Sequence, residues 1–413
     1  MGDKMKILFI NKFLFMNGGS ETYMFSIGRK LEELGHEVQY FGMEHTGRCG
    51  GNRLGCYTDE VDFHSSGVAR FLYPFKILYS KEAKRKLLRV LEDFNPDTVH
   101  INNFNFQLTP SIIYAVKKYD RQTGRRTAII YTAHDGQLVC PNHLMQQYIS
   151  GERCQKCLNG NLWNCTKYKC IHGSTVKSLL GTAEGILYRI FKPYKKIDKV
   201  IAPSFFLGEV LSHNDQLKGR IITLHNFVGD ITLTEEEKIK ENYVLYFGRY
   251  SREKGIETLV KACREVPEIP FIFAGSGELQ EMVDRTANIQ NRGYLSGREL
   301  YRLIAGARFT VFASECYENC PFAVMESLTC GTPVLCADIG GAPELLEAGT
   351  QGELFEPGNA DELKSKIELL WNDRNRIKYY TDNCTEINFD TLEQYCTKLL
   401  GIYKECGRER EQA

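Results

Sequence analysis

The chain has 413 residues, 43% of them hydrophobic and 25% charged, the proportions of an ordinary globular protein long enough for two domains. It contains no run of about 18 apolar residues, so no transmembrane helix is expected. The opening MGDKMKILFI passes straight into strand-like sequence with no cleavable signal, so a cytoplasmic location is expected, with the 15 cysteines held largely as free thiols.

The formal net charge of zero hides a split. Residues 1–220 carry 31 Lys and Arg against 20 Asp and Glu, an excess of 11 positive charges that the rest of the chain balances. The basic half suits an anionic partner such as a membrane surface, where each clustered Lys or Arg adds roughly 1 kcal/mol. A charge dipole between domains, with no partner, is the alternative.

Residues 5–10 (MKILFI) read as a short buried strand. A loop ending in Gly18 and Gly19 follows. Residues 20–34 then carry helical periodicity, with Ser20 as N-cap and Gly35 as the stop. Residues 38–41 are a second strand. This strand–glycine loop–helix–strand unit is Rossmann-like, but it lacks the G-x-G-x-x-G spacing of nicotinamide and flavin enzymes. Residues 71–94 form a basic amphipathic run, aromatic at its start and bearing Lys81, Lys84, Arg85, Lys86 and Arg89 further on. It fits an interfacial membrane helix or a solvated helix packed on a sheet. Strands at 97–101 and 128–132 flank a helix at 111–118. His134 and Asp135 follow the second of these strands, at the end where open α/β sheets bind ligands.

Residues 140–172 break the pattern, with Cys154, Cys157, Cys165 and Cys170 spaced as two pairs. Three readings stand for these cysteines: a structural zinc site with Zn–S near ~2.3 Å, reduced packed thiols, or a disulfide. Strands at 199–202 and 221–224 lead to an acidic linker at 232–242.

The second half restarts the same architecture, with strands at 244–247, 271–274, 309–313 and 333–337. Helices are expected at 256–263, 278–286, 298–305, 343–347, 361–371 and 392–405. Arg249 and Lys254 sit in the glycine-bounded loop after residue 247, where arginine grips a diphosphate bidentately and lysine adds a compact charge. Glu318 lies in the loop after residue 313. Pro321 opens a helix, where its missing N–H costs nothing, and Glu326 falls about one turn in. The unpaired N–H groups of that turn suit phosphate or hydroxyl oxygens. Cations for phosphate beside carboxylates for hydroxyls describe a nucleotide-sugar site. No Walker loop is present, which disfavours an ATPase or kinase.

These motifs are GGSE at 18–21, TAHD at 132–135, FGRYSREKG at 247–255, AGSGEL at 274–279 and ECYENCPFAVMESLTCGTPV at 315–334. Over nearly the whole chain, the set resembles the retaining glycosyltransferases of family four. The resemblance implies the α/β GT-B fold, two Rossmann-like domains facing each other across a cleft. The first would span 1–225 with a cysteine-rich insertion at about 140–172, and the second 226–390. Residues 391–413 would form a C-terminal helix that packs back on the first.

The resemblance also implies roles. Arg249 and Lys254 would bind the donor diphosphate, and Glu326 the ribose. Glu318, with the N–H groups of Asn319, Cys320, Pro321 (a residue lacking one) and Phe322, would meet the donor sugar. Gly18 and Gly19 would let their loop approach donor and acceptor, His134 would contact the transferred sugar, and the base would lie on Gly293, Tyr294 and Leu295. The donor would be UDP- or GDP-linked, with no cofactor required for catalysis. The acceptor would be a glycan or lipid-linked sugar in surface polysaccharide biosynthesis, at the inner face of the membrane. No nucleic-acid partner is implied. A nucleotide-sugar epimerase of the same fold and a non-catalytic sugar-nucleotide-binding protein are the alternatives.

Overall fold

Helices covering both faces of a parallel sheet force its inner strands to be apolar at almost every position. The runs KILFI, TVHI, AIIYT, VLYF, FIFA and VLCA meet that requirement. In the computed structural model of the chain each is a strand, buried along nearly its whole length. Ile7, Leu8, Phe9 and Ile10 are fully buried, each side chain contributing roughly 1.5–3 kcal/mol. The structure describes residues 4–59 and 78–411, with side chains of the last helix described as far as residue 407.

The chain divides into two units. The first takes residues up to Pro203, Leu207–Leu224 and the chain from Leu392 onward; the second takes Ser204–Phe206 and His225–Thr391. In the first unit the strands are β1 (Lys6–Ile10), β2 (Glu37–Phe41), β3 (Thr98–Ile101), β4 (Ala128–Thr132), β5 (Lys199–Ala202) and β6 (Ile221–Thr223). They pair in the order β2-β1-β3-β4-β5-β6, all parallel. Helices α1 (Gly19–Glu33), α2 (Lys81–Phe94), α3 (Ser111–Thr123), α4 (Trp163–Lys167), α5 (Thr175–Phe191) and most of α6 (Phe205–Ser212) belong with them.

The second unit holds β7 (Val244–Phe247), β8 (Phe271–Ala274), β9 (Ile289–Asn291), β10 (Phe309–Phe312), β11 (Val334–Ala337) and β12 (Gly352–Phe355). Their order is β12-β11-β10-β7-β8-β9, again parallel. Helices α7 (Ile256–Arg264), α8 (Gln280–Asp284), α9 (Gly297–Gly306), α10 (Phe322–Thr329), α11 (Ala360–Asn372) and α12 (Arg374–Cys384) complete it. Both units are Rossmann-like, as the sequence led us to expect.

Several local expectations change. Helix α1 starts at Gly19 with Gly18 in the cap position, and the Ser20 hydroxyl instead accepts a hydrogen bond from Asn103 Nδ2 at 3.0 Å. The helix expected at 278–286 shrinks to α8, because Gly277 at φ 159° and a bond from Leu279 N to Tyr250 O delay its entry. Residues 343–347 yield only a 3-10 turn at Ala342–Leu345. The membrane-helix reading of the basic run also fails for its described part. Helix α2 buries Ala83, Leu87, Val90, Leu91 and Phe94 and packs on α3, so its apolar face is already covered. Residues 71–77 of that run lie outside the described residues.

The last helix, α13 (Leu392–Glu411), joins the first unit through buried hydroxyls. Tyr395 Oη lies 2.7 Å from Tyr23 Oη, and Tyr403 Oη lies 2.5 Å from His100 Nδ1. Burial pushes the His100 pKa down to about 3, so the ring is neutral and needs both partners, Tyr403 and Thr132 Oγ1 at 2.8 Å. Tyr403→Phe strands one buried ring nitrogen, and we expect it to lower unfolding stability by about 1–3 kcal/mol. Urea denaturation measures this, and an unchanged midpoint would mean that the bond contributes nothing.

Candidate functional site

In the second unit the chain runs from β7 outward to β8 and β9, then returns to place β10 on the other side of β7. The loops leaving the carboxyl ends of β7 and β10 therefore diverge at a topological switch point, the usual ligand crevice of open parallel sheets. The β7 loop carries Arg249 and Lys254, and the β10 loop carries Ser314 through Cys320.

A 3-10 turn at Arg252–Lys254 aims Lys254, and Gly255 turns the chain into α7 at φ 71°. A Cβ at Gly255 would sit 1.8 Å from Ala313 O, so only glycine lets the two loops meet. Glu315 N donates to Glu253 O at 2.9 Å, tying the loops together. The result is a direct ion pair between Lys254 Nζ and Glu318 Oε1. Ser314 Oγ donates to the same carboxylate oxygen at 2.7 Å. Burial works against charge on Lys254, but the Glu318 carboxylate outweighs it and holds the amine above the ordinary lysine pKa. Gly341 supports the Glu318 loop from below: its N–H donates to Glu318 O at 2.7 Å, and a Cβ there would sit 1.9 Å from Asn319 O.

Helix α10 starts right after this loop, with Pro321 as its cap residue and no side chain capping its first turn. Glu326, half-buried on that helix, makes no side-chain hydrogen bond or ion pair among the described residues. Burial alone pushes its carboxyl up to about 7. Arg249 is exposed, with no ion pair among the described residues, and its carbonyl accepts from Tyr246 Oη at 2.9 Å.

Of the remaining predicted donor residues, Gly293 is pinned by its N–H to Asn291 Oδ1 at 2.9 Å, Leu295 is half-buried, and Tyr294 is 77% exposed. Cys320 turns inward: its sulfur accepts from Asn226 N at 3.3 Å and packs against Met325, so its side chain is part of the core. Phe322 packs edge-on against Phe227.

In the first unit, Gly18 has an extended backbone, and a Cβ on Gly19 would meet nothing within 4 Å, which leaves open space over the loop. His134 follows β4, its Nε2 2.9 Å from Asn102 Oδ1 and its ring edge-on to Tyr23. Burial lowers its pKa to about 4, so it is neutral at pH 7 and acts as a hydrogen-bonding group rather than an acid.

The cysteine segment resolves into free thiols. Cys157, Cys165 and Cys170 pack with Leu162 in a small buried cluster. Burial pushes the Cys157 thiol up to about 11 and that of Cys140 up to about 12. Metal binding needs thiolates held at a common point. Among the described residues no group of three or more His, Cys, Asp or Glu is set to hold a metal ion, although Cys154, Cys157, Cys165 and Cys170 line one small cavity together with Cys140.

Comparison with known proteins matches two family models in succession. "Glycosyltransferase Family 4" aligns with residues 17–230 and "Glycosyl transferases group 1" with residues 232–386. An uncharacterised glycosyltransferase of Methanocaldococcus jannaschii is 26% identical over 62% of this chain and 72% of its own length. The O-antigen chain mannosyltransferase B of Escherichia coli is 29% identical over 31% of this chain and 36% of its own. Among solved structures, Anabaena HepE in complex with UDP and glucose superposes with a TM-score of 0.62 at 18% identity, over 96% of this chain and 99% of that one. That likeness carries the GT-B fold.

Proposed function

The chain belongs to glycosyltransferase family four and is a glycosyltransferase; from that premise we propose that it transfers a sugar, with retention at the anomeric carbon, from a UDP- or GDP-linked donor to a hydroxyl of a glycan or lipid-linked sugar in surface polysaccharide assembly. The observation that carries this reading is the Lys254–Glu318 pair at the switch point of the second unit, followed on the next helix by Glu326, which has no ion pair among the described residues. The Escherichia coli O-antigen relative and the UDP complex of the Anabaena neighbour support the substrate classes.

In this reading Lys254 and Arg249 hold the diphosphate, Glu326 accepts the ribose hydroxyls, and Gly293, Tyr294 and Leu295 carry the base. Glu318 and the first-turn N–H groups of α10 hold the donor sugar, with Gly18, Gly19 and His134 serving the sugar and acceptor. The acceptor oxygen bonds to the anomeric carbon as the bond to the diphosphate breaks, and the acceptor proton passes to a phosphate oxygen. Charge grows on the leaving diphosphate, so fixed cations there stabilise the transition state.

A thermal-shift panel of nucleotide sugars tests the donor, since a ligand at about 100 times its Kd stabilises by about 2.7 kcal/mol. Nucleotide release that depends on an added acceptor, with an axial or equatorial product linkage matching the donor, tests transfer and retention. Epimerised donor without transfer, or binding without turnover, would sink the reading.

Contact with an anionic membrane is part of the proposal, and α5 with its surroundings supports it. Trp163, Val176, Ile190 and Phe191 are 58–77% exposed, beside the exposed Lys177, Lys192 and Lys195. Apolar anchors flanked by lysines suit an anionic interface. The protein is expected to co-sediment with phosphatidylserine-containing vesicles, less so at high salt, and not with phosphatidylcholine alone. Equal partition to both would refute the electrostatic part.

A further inference from the structure

The segment between β4 and α5 has little of its own to hold it in shape. Its one helix is the five-residue α4, and its own buried cluster is Cys157, Leu162, Cys165 and Cys170. Four of its non-glycine residues, His143 (φ 68°), Met145 (φ 50°), Lys169 (φ 49°) and His172 (φ 52°), occupy the left-handed region. Backbone of that kind persists only where the surroundings over-determine it. A cluster this small calls for a staple, as other thinly cored segments do.

The cysteines supply the means. Cys140, Cys154, Cys157, Cys165 and Cys170 all line one cavity of about 10 Å³, room for roughly a single water-sized particle. Every pair among Cys140, Cys157, Cys165 and Cys170 lies close enough for the charge of one thiolate to be felt by the other. The Cys165 and Cys170 thiols also hydrogen-bond directly. Backbone N–H groups of Asn142 and Met145 donate to the Cys140 sulfur, and that of Cys165 donates to the Cys157 sulfur. Such donors favour a thiolate over a thiol. Lys156 and Arg189 add positive charge near Cys170 and Cys157. Cys154 is partly exposed and interacts with Cys157.

We propose that Cys140, Cys157, Cys165 and Cys170 form a structural zinc site that staples the segment, with Cys154 outside the ligand set. The choice exchanges Cys154 for Cys140, which the spacing of the two pairs along the chain does not suggest. The free thiols are not set at coordinating positions, so binding draws them inward. Each loses its proton to solvent as its bond to the ion forms. A divalent ion reverses the effect of burial, because a coordinating thiol is deprotonated outright. The cluster then carries net negative charge, which Lys156 and Arg189 offset. Four protein ligands close a tetrahedral shell, so the ion holds the segment and leaves no open position for catalysis. The site does not depend on the transferase reading.

The test takes the full chain, expressed with added zinc and purified without chelators or metal-affinity resin. Elemental analysis should find about one zinc per chain. Cobalt in its place should give the thiolate-to-cobalt charge-transfer absorption of a tetrahedral thiolate site. Alkylation mapped by mass spectrometry should leave Cys140, Cys157, Cys165 and Cys170 unmodified until a strong chelator is added, and chelation should lower the melting temperature. Cys140→Ser should lose the zinc, whereas Cys154→Ser should keep it. If Cys140→Ser does not fold, the chelator-dependent alkylation of the unaltered protein still decides. No metal in zinc-replete protein, iron in place of zinc, or a disulfide among the five cysteines overturns the proposal. So does zinc that survives Cys140→Ser but not Cys154→Ser.

Discussion

Lys254→Ala should slow sugar transfer by about 10²–10³-fold, the usual cost of removing one fixed group from developing transition-state charge. The same change uncovers a second effect. Glu318, whose side chain is 14% exposed, loses its cation and keeps the Ser314 hydroxyl and the weaker donor Cys316 Sγ. A half-buried carboxylate left without its partner destabilises the fold, by about 1–3 kcal/mol. The two effects separate by pairing the variants: Lys254→Arg retains the charge and should recover most of the stability but only part of the rate, because the planar guanidinium sits differently from an amine. Steady-state nucleotide release and thermal melting on the same samples read both. A Lys254→Ala enzyme with undiminished kcat would remove Lys254 from the diphosphate site.

Glu326→Gln should strengthen the free protein above neutral pH while weakening its hold on the donor nucleotide. Burial raises the Glu326 carboxyl to about 7, against about 4.3 in an unfolded chain. The folded state therefore keeps a proton that the unfolded state releases. The stability this contributes is fully present below about pH 4.3 and is lost as pH rises through about 7. Glutamine never ionises, so the variant and the wild type should melt alike near pH 4. At pH 8 the variant should gain about 2–3 kcal/mol, or several degrees at about 2–4 °C per kcal/mol. Binding should run the other way. Ribose hydroxyls donate best to a carboxylate, so wild-type affinity for the donor nucleotide should climb between pH 6 and 8. The variant should bind about tenfold or more weakly, with a flat profile. Calorimetry at several pH values decides it: parallel profiles for the two proteins would take Glu326 out of the ribose site.

Both expectations depend on residues whose neighbourhood was only partly legible in the sequence. Local text announced the strands well, since a strand covered on both faces must be apolar throughout, and glycine marks where a helix stops. It served less well where tertiary contacts intervene. Helix α5, with Ser174 accepting from Lys177 N as its cap, is not among the elements expected from the sequence. Strand β12 and helix α12 are likewise not among the expected elements. The apolar stripe of α2 suggested a membrane face, yet a stripe reports only that one side is buried, and α3 covers it.

By itself the sequence determined two alternating α/β halves, the loop positions of Lys254 and Glu318, and the family motifs, because period, chain breakers and residue chemistry are local properties. Only the tertiary structure decided that β10 returns beside β7, which brings Lys254 and Glu318 together from 64 positions apart. It likewise decided that the loops after β3 and β4 bury side-chain oxygens that have no hydrogen-bond partner among the described residues. Strand order and the satisfaction of buried polar groups depend on which distant segments become neighbours, and no window along the chain contains that information.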